Sequence, residues 1–383
     1  MGFLLFLACG PDIRSVYDEA RAHALTIASE LPPTWEPDLV VAIGEDALSD
    51  VIALAGSEAL EVHSTPLILD LPLGFAATLR PTLRIRSAEI DPGQGCESCI
   101  HFDLEVRGDV SWALGPIGGN FPAKVAVSGQ LQLGVEEGTR IVARPFRIGK
   151  VDVNPGDLGS LRANPSVLLQ EWVRDSLGPA LPTILIADLS DLPIRLLRIR
   201  TGEHAIRVEV LTNVAGTRPA VVPDPTPDAV ILGLSETALA GLLRREAFTR
   251  GAVEKGVVVD PHAVDVEGNT FHLDLRLWRL EGLGWWRDYD VAGTLALRDG
   301  KIAIEPTTVS EIASSPGADW ADPLAALAQA QILSAIASNL ERTLPASKQG
   351  LGGMRLRAVA TGVRGVGETL LVDGQLRSSG KNE

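Results

Sequence analysis

The chain has 383 residues, of which 45% are hydrophobic, 4% aromatic and 22% charged, and its formal net charge at pH 7 is −15. Nucleic-acid binding needs clustered Lys and Arg against phosphates, and no basic stripe occurs, so a nucleic-acid partner is not expected. Because aromatic residues are so few, the interior must be filled mainly by Val, Leu, Ile and Ala. The length is sufficient for two domains of ordinary size.

The N-terminus carries a short apolar run, residues 3–8, followed by Cys9 and Gly10. This run resembles the end of a bacterial lipoprotein signal peptide, although it has neither a basic segment nor a long apolar one. We therefore predict that residues 1–9 are a signal remnant and that Cys9 is lipidated; the alternative is a frayed apolar terminus. Acyl chains on Cys9 would hold the protein at a membrane surface. The expected location is the bacterial cell envelope, in the periplasm and anchored to the outer membrane.

A helix is predicted within residues 12–31, ahead of a sequence that repeats itself. Four landmarks recur in the same order in both halves of the chain: an apolar run followed by a helix, a His-x-Asp strand, a Val-x-Gly-x-Leu-x-Leu strand, and a helix opened by Asn-Pro or Asp-Pro. They begin at Pro37, His101, Val127 and Asn164 in the first half, and at Pro227, His272, Val291 and Asp322 in the second. Such internal repetition indicates two copies of one domain.

The repeats set the predicted domain boundaries. An N-terminal helix and linker occupy 10–36, the first domain 37–212, a Pro-rich linker 213–226 and the second domain 227–380. The linker sequence is typical of an extended, semi-rigid connector.

Strands in each copy alternate between apolar and polar residues, which is typical of an antiparallel sheet with one buried face. Ile100, Phe102, Leu104 and Val106 share one face in the first copy. Each copy then contains a long helical run, 164–185 or 322–344, with apolar residues spaced four apart. Pro179 and Pro182 should kink or break the end of the first of these helices.

This order of elements resembles the tubular lipid-binding (TULIP) superfamily, the group that includes bactericidal/permeability-increasing protein and SMP-type domains. The resemblance implies an α+β fold: two tandem copies of a curved antiparallel β-sheet wrapped around a long amphipathic helix. It also implies an apolar groove between sheet and helix. Some members bind lipopolysaccharide through basic tips, which this acidic chain does not have.

The resemblance leads to a predicted function: non-enzymatic binding or transfer of a lipid or other apolar ligand. Each CH₂ group buried in such a groove would contribute about 0.8 kcal/mol. The alternative is a membrane-anchored scaffold protein of the envelope with solid domain cores. The predicted lining residues are Ile52, Phe102, Leu104, Leu131, Leu169, Val173, Leu177, Leu243, Leu273, Leu275, Leu295, Ile332 and Ile336.

Cys96 and Cys99 lie in a Gly-containing loop between two strand-like stretches. In an oxidising compartment the simplest interpretation is a local disulfide. Free thiols remain an alternative, as does a metal or redox site, although the second copy has no cysteine and further ligands of suitable spacing are missing.

Enzymatic chemistry has little support in the sequence. His101 with Asp103, and His272 with Asp274, would suit metal ligands or an acid–base pair, but their positions on the polar face of a strand favour plain surface residues. Residues 115–119, Gly-Pro-Ile-Gly-Gly, precede no helix and so do not form a phosphate cradle. No enzyme activity, cofactor or metal is predicted.

Three tryptophans, Trp278, Trp285 and Trp286, flank a Gly-Leu-Gly sequence that is typical of a hairpin tip. Indoles at an exposed tip favour a membrane interface or a protein partner. The tip is therefore a candidate contact for the membrane or for another envelope protein; the alternative is that these rings pack beneath the hairpin.

Overall fold

A computed structural model describes most of the chain, in thirteen segments. These are residues 12–28, 34–50, 52–53, 66–71, 75–93, 98–154, 183–190, 193–252, 256–282, 284–298, 301–315, 350–351 and 354–379. Most of the described residues are in strands, and hydrogen bonds join the strands into three antiparallel sheets. The predicted α+β class is therefore wrong, because the described chain is mostly β and its helices are short.

The strands are β1 (Leu39–Gly44), β2 (Leu67–Leu71), β3 (Phe75–Asp91), β4 (Cys99–Leu114), β5 (Ile117–Glu136), β6 (Arg140–Asn154), β7 (Ile184–Asp188), β8 (Ile194–Thr201), β9 (Ala205–Thr212), β10 (Val230–Ser235), β11 (Val257–Glu267), β12 (Thr270–Arg279), β13 (Trp285–Arg298), β14 (Lys301–Ser314), β15 (Gly350–Leu351), β16 (Met354–Gly365) and β17 (Thr369–Ser379). The helices are α1 (Ile13–Ala24), α2 (residues 45–50, with 52 and 53 also helical) and α3 (Glu236–Arg250).

No long amphipathic helix occurs among the described residues, and the longest helix there, α3, has 15 residues. The first predicted helix is also wrong at its C-terminal end, where the four-residue apolar spacing had indicated a helix. Ile184 and Leu185 were placed in that helix but lie in strand β7, because Pro182 cannot continue a helix. The rest of that segment, 164–182, and the second predicted helix, 322–344, lie outside the described residues.

The largest continuous run of strands is the six-stranded sheet, in which β2 to β7 follow one another in chain order. Its strands β3 to β6 have 15 to 20 residues each, so a strand of this sheet is about 50 to 65 Å long. Side chains alternate along β5 between buried apolar and exposed polar positions. The sheet therefore has one apolar inner face and one wet outer face, as the alternation predicted.

A four-stranded sheet, β11 to β14, is built in the same way in the second half of the chain. Phe271, Leu273, Leu275 and Leu277 of β12 are all buried on one face. In both sheets a buried phenylalanine lies opposite a strand glycine: Phe102 pairs with Gly129, and Phe271 pairs with Gly293.

A seven-stranded sheet takes strands from both halves, in the order β15-β16-β17-β10-β1-β9-β8. At its centre β1 pairs antiparallel with β10, and Val41 lies opposite Leu232. The strands on either side follow a symmetric order, with β9 beside β1 and β17 beside β10. This shared sheet corrects the prediction of two sheets that each wrap a helix of their own. The predicted domain boundaries themselves stay a prediction.

Strand β1 is buried at all six positions, because both faces of the central sheet are covered. Leu39, Val41 and Ile43 face the main core, which also holds the inner faces of the other two sheets. On the opposite face, Val40 and Ala42 pack against Ala220 and Val222 of the Pro-rich segment. That segment is therefore packed onto the sheet.

Buried polar groups fix this arrangement. The Asp38 carboxylate, fully buried, accepts hydrogen bonds from the Thr212 backbone N–H (2.8 Å) and hydroxyl (2.7 Å), which ties the start of β1 to the end of β9. Burial raises the pKa of Asp38, and the Thr212 hydrogen bonds oppose that shift. At the start of α3, Ser235 is the N-cap and accepts a hydrogen bond from the Ala238 N–H.

Candidate functional site

The inner face of the six-stranded sheet is the largest continuous apolar surface that the described strands build. Alternate residues of β3, β4 and β5 point to it, and most of them are buried. They include Leu79, Leu83 and Ile85 of β3, Ile100, Phe102, Leu104, Val106 and Val110 of β4, and Phe121, Ala123, Val125, Val127, Leu131 and Leu133 of β5. On β5 this face extends from Phe121 to Leu133, a distance of about 40 Å.

The opposite face of the same strands is charged. Glu105 pairs with Lys124 (2.7 Å) and with Arg107 (2.5 Å), and all three side chains are partly or largely exposed. The side-chain hydrogen bond from Lys124, followed by that from Arg107, lowers the pKa of Glu105. One strand thus separates an apolar interior from a solvated ionic surface.

Eight of the thirteen predicted lining residues fall within the described residues, and all eight are buried members of the main core. Their exposed fractions are 6% or less, and they are Ile52, Phe102, Leu104, Leu131, Leu243, Leu273, Leu275 and Leu295. The other five, Leu169, Val173, Leu177, Ile332 and Ile336, lie outside the described residues. The structure therefore brings the eight together in one interior, and whether they line a ligand stays a prediction.

The four-stranded sheet is closed on its other side by helix α1. Tyr17 of α1 inserts between Phe248 of α3 and Trp278 of β12, with ring-centroid distances of 5.6 and 5.7 Å. Together with Val258 these three side chains form a separate core cluster, against which Ile13 and other apolar residues of α1 pack. Burial raises the pKa of Tyr17. The N-terminal helix, for which the sequence indicated no role, is thus part of the packing of the second half.

An ionic network lies beneath this cluster. The Asp260 carboxylate, fully buried, accepts two hydrogen bonds from the Arg244 guanidinium (2.6 and 3.2 Å) and one from the Trp278 indole N–H (3.2 Å). Arg276 donates two hydrogen bonds to Asp288, which raises the pKa of Arg276. Burial lowers the pKa of His262, while the neighbouring Asp260 charge acts in the opposite direction. Sequence reasoning missed Asp260 and Arg244 because nothing local marks a buried ion pair.

The tryptophans of the predicted tip are mostly interior. Trp278 and Trp285 are 0% and 1% exposed, and Trp286 is partly exposed beneath Arg276, whose guanidinium carbon lies 4.1 Å from its ring centroid. Two of the three indoles are therefore unavailable to a membrane or partner surface in this structure. Packing beneath the hairpin is the alternative that these positions favour.

Cys99 is disulfide-bonded and buried at the start of β4. Its predicted partner Cys96 and the predicted lipidation site Cys9 lie outside the described residues.

The two His-x-Asp pairs lie on the wet faces of their strands. His101 Nε2 is 3.6 Å from Asp103 Oδ2, with both side chains partly or well exposed. His272 Nδ1 lies 3.8 Å from Asp290, on the neighbouring strand. The described residues hold no group of three His, Cys, Asp or Glu side chains placed to bind a metal.

Cavities on the described surface differ in their lining. One, of about 350 Å³, lies beneath the C-terminal end of α1 and has mixed walls, with His23, Arg244 and Glu236 beside Val214 and Val264.

Another cavity, of about 830 Å³, lies beside α2 and is strongly acidic, with Glu45, Asp46, Glu89, Asp91 and Asp103 in its wall. This acidic wall does not suit an acyl chain.

Comparison with known proteins gives structural similarity alone. No protein-family model and no curated protein matches the chain. Lipopolysaccharide binding protein is similar in structure with a TM-score of 0.36 and 14% identity, over 89% of this chain and 99% of that one. P47 of Clostridium botulinum E1 is similar with a TM-score of 0.38 and 9% identity, over 90% of this chain and 100% of that one. TM-scores this low do not establish a common fold, so the TULIP resemblance stays a prediction.

None of the helices in the described part of the chain has the length and apolar character needed to cross a membrane.

Proposed function

We propose that the protein binds a lipid or similar apolar ligand without covalent chemistry, and that the ligand lies against the inner face of the six-stranded sheet. The supporting observation is the continuous apolar face of β3, β4 and β5. Its length on β5, about 40 Å, is more than twice the ~15 Å of one leaflet of a bilayer's hydrocarbon core. The face is therefore longer than the acyl chain of a membrane lipid.

The width of the sheet supports the same proposal. Six strands about 4.8 Å apart span about 24 Å, whereas one helix with its side chains is about 10 to 12 Å across. A single helix packed on this face would leave apolar strand residues beside it. Covering them with ligand CH₂ groups would contribute about 0.8 kcal/mol for each group buried.

The proposal places the protein in the bacterial envelope, held at the outer membrane by acylation of Cys9. Metabolic labelling with a fatty acid checks this part by itself: label on the wild-type chain, absent from Cys9→Ser, supports the anchor. An unlabelled wild-type chain would remove the anchor from the proposal and leave ligand binding to be tested separately.

Native mass spectrometry, with palmitoyl-oleoyl phosphatidylcholine as the added probe, tests ligand binding. Val106, on the inner face, is 1% exposed, and Val106→Trp would fill that part of the interior. We expect the wild-type chain to carry the lipid and Val106→Trp to lose it. The matched control is Arg107→Trp, on the same strand but on the outer face, which should keep the lipid.

Val106→Ala guards against a trivial loss of folding. It destabilises the core by leaving a cavity, yet removes nothing that excludes a ligand, so it should retain the lipid. If neither the wild-type chain nor Val106→Ala carries any lipid, the carrier proposal is wrong.

A second candidate is an envelope scaffold protein with a solid interior. The observation that favours it is the near-complete burial of all eight described lining residues. A bare protein mass in the presence of lipid would support this candidate.

A further inference from the structure

The hairpin that joins β4 and β5 differs from the rest of the surface in charge. In a chain where 22% of residues are charged, the run from Val110 to Ala123 carries no charged residue. Leu114 pairs with Ile117, so Gly115 and Pro116 form a two-residue loop, and Gly115 has the positive φ (58°) that such a loop demands. We call residues 110–123 the β4–β5 tip.

The outermost part of the β4–β5 tip is exposed and apolar. Residues 115–120 are all exposed, and Ile117 is 61% exposed. Trp112 is half-buried, and its ring lies against the backbone of Gly119 on the opposite strand, where an added Cβ would be 3.0 Å from the indole Nε1. An amphipathic ring just behind an apolar loop matches the position that tryptophan takes at a membrane interface.

A second exposed isoleucine lies at the same end of the sheet. Ile68 of β2 is 67% exposed and pairs with Thr78 of β3, which in turn pairs with Ala113. By this pairing Ile68 lies on the opposite face of the sheet from Ile117 and Trp112. It therefore adds an exposed apolar side chain near the loop without continuing the face that carries those two residues.

The nearest charges on these strands are far enough back to permit shallow insertion. Asp109 lies five residues before Leu114 and Lys124 seven residues after Ile117, which are distances of about 17 and 24 Å along the strands. Arg80 of β3 pairs with Ser111, about 10 Å behind the loop. Interfacial segments enter a bilayer by about 5 to 10 Å. Asp70 of β2 is level with the loop but two strands away, about 10 Å to the side.

We propose that the β4–β5 tip inserts into the interface of a lipid bilayer and docks the protein there. We infer a bilayer and not a protein partner because the uncharged loop carries exposed Ile117 at its end and the amphipathic Trp112 ring just behind it, which is the order of residues in an interfacial membrane segment. The tip also continues into the apolar inner face through Val110 and Phe121, both buried. If that face binds lipid, as proposed above, the ligand would pass between bilayer and interior at this end without crossing a charged surface.

The net charge of the chain predicts which type of bilayer the tip binds. With a net charge of −15, the protein is repelled by anionic lipids, and the uncharged tip adds no basic residue to offset this repulsion. Docking should therefore be strongest on zwitterionic membranes.

Co-flotation with phosphatidylcholine vesicles tests the proposal, with Cys9→Ser in every sample so that no acyl anchor contributes. We expect the wild-type tip to bind and Ile117→Asp to lower the vesicle partition constant at least tenfold. The matched control is Ile312→Asp, which changes an isoleucine of the same exposure, 61%, on β14, and should bind as the wild type does. Adding phosphatidylserine should weaken binding, and salt should restore it.

A second readout locates the contact. Phosphatidylcholine brominated on its acyl chains should quench the fluorescence of the wild-type chain more than that of Trp112→Phe. Three results would each overturn the proposal. These are a wild-type chain that does not float with the vesicles, an equal loss of vesicle binding in both Asp variants, and equal quenching in the wild type and Trp112→Phe. Native mass spectrometry on the same samples measures lipid binding independently. A chain that binds lipid but does not float contradicts only the docking proposal, and a chain that floats but binds no lipid contradicts only the proposed function.

Discussion

The β12–β13 hairpin and the β4–β5 hairpin both carry tryptophan, but the structure uses the rings differently. Trp278 and Trp285 of the first are both buried: Trp278 is covered by Tyr17 of α1 and donates a hydrogen bond to Asp260, while Trp285 belongs to the main core. The β4–β5 tip has Trp112 half-buried next to exposed Ile117, and its sequence from 110 to 123 has no charge. Indoles near a turn therefore do not by themselves mark a contact surface. The difference lies in whether another element packs on the rings and whether charged partners surround them.

The largest effect is expected at the buried Asp260 of β11, which accepts a hydrogen bond from Trp278 of the β12–β13 hairpin. Asp260→Ala leaves the Arg244 guanidinium and the Trp278 N–H without their acceptor in a buried setting. We expect the free energy of unfolding to fall by about 3 to 5 kcal/mol. Urea denaturation followed by circular dichroism measures this change.

The control removes a carboxylate from the open outer face of the other sheet. Glu105→Ala breaks the pairs with Lys124 and Arg107, which are exposed. Exposed pairs contribute little, so its urea midpoint should match the wild type. A similar loss in both variants would contradict the contrast between the two regions.

A smaller effect is expected from overpacking the inner face of the six-stranded sheet. In Gly129→Ala the new Cβ would lie 2.3 Å from the Arg147 backbone carbonyl oxygen and 2.7 Å from the Phe102 ring, so the neighbouring strand and the ring must move. We expect a loss of about 1 to 3 kcal/mol in the free energy of unfolding. Gly134→Ala, on the same strand, meets nothing closer than 3.9 Å and should be close to neutral. The comparison fails if the two alanine variants unfold at the same urea concentration.

The smallest effect is a pH dependence of the free energy of unfolding, which we expect from His262 of β11, next to Asp260. Burial lowers the pKa of His262 below its ordinary value of 6.5. The folded state therefore binds fewer protons than the unfolded state as the pH falls below 6.5, and stability is lost in that direction. Burial is the main cause of this lowered pKa; the Arg244 and Arg276 charges act in the same direction, and the Asp260 and Asp288 charges oppose it.

Urea midpoints measured between pH 7 and pH 5 test this dependence. His262→Gln should flatten the decline, whereas His272→Gln, whose ring is 46% exposed, should retain it. An unchanged slope in His262→Gln would show that another group is responsible.

Local patterns predicted the individual elements well. Alternation placed Ile100 to Val106 on one buried face, and helix α1 lies within residues 12–31, where a helix was predicted. Each of these depends on residues close in sequence, which is why the sequence sufficed. The placement of Leu185 in a helix was wrong because a four-residue apolar period in a short run does not exclude a strand.

The candidate site was only partly predictable. The uncharged run 110–123 and its Gly-Pro turn are visible in the sequence, and together they identify the β4–β5 tip. The cluster of tryptophans instead made Trp278 and its neighbours the candidate contact surface. The sequence does not show that Tyr17, more than 250 residues away, packs on the Trp278 ring.

The sequence by itself determined the faces of the strands, the caps, the acidic balance and the repeated order of landmarks, since these follow from neighbouring residues and composition. Only the tertiary structure decided that β1 and β10 pair to join both halves in one sheet, that the Pro-rich segment covers that sheet, and that Asp260 is neutralised inside the protein. These features depend on contacts between distant residues. Their energies come from burial and charge pairing that no local pattern encodes.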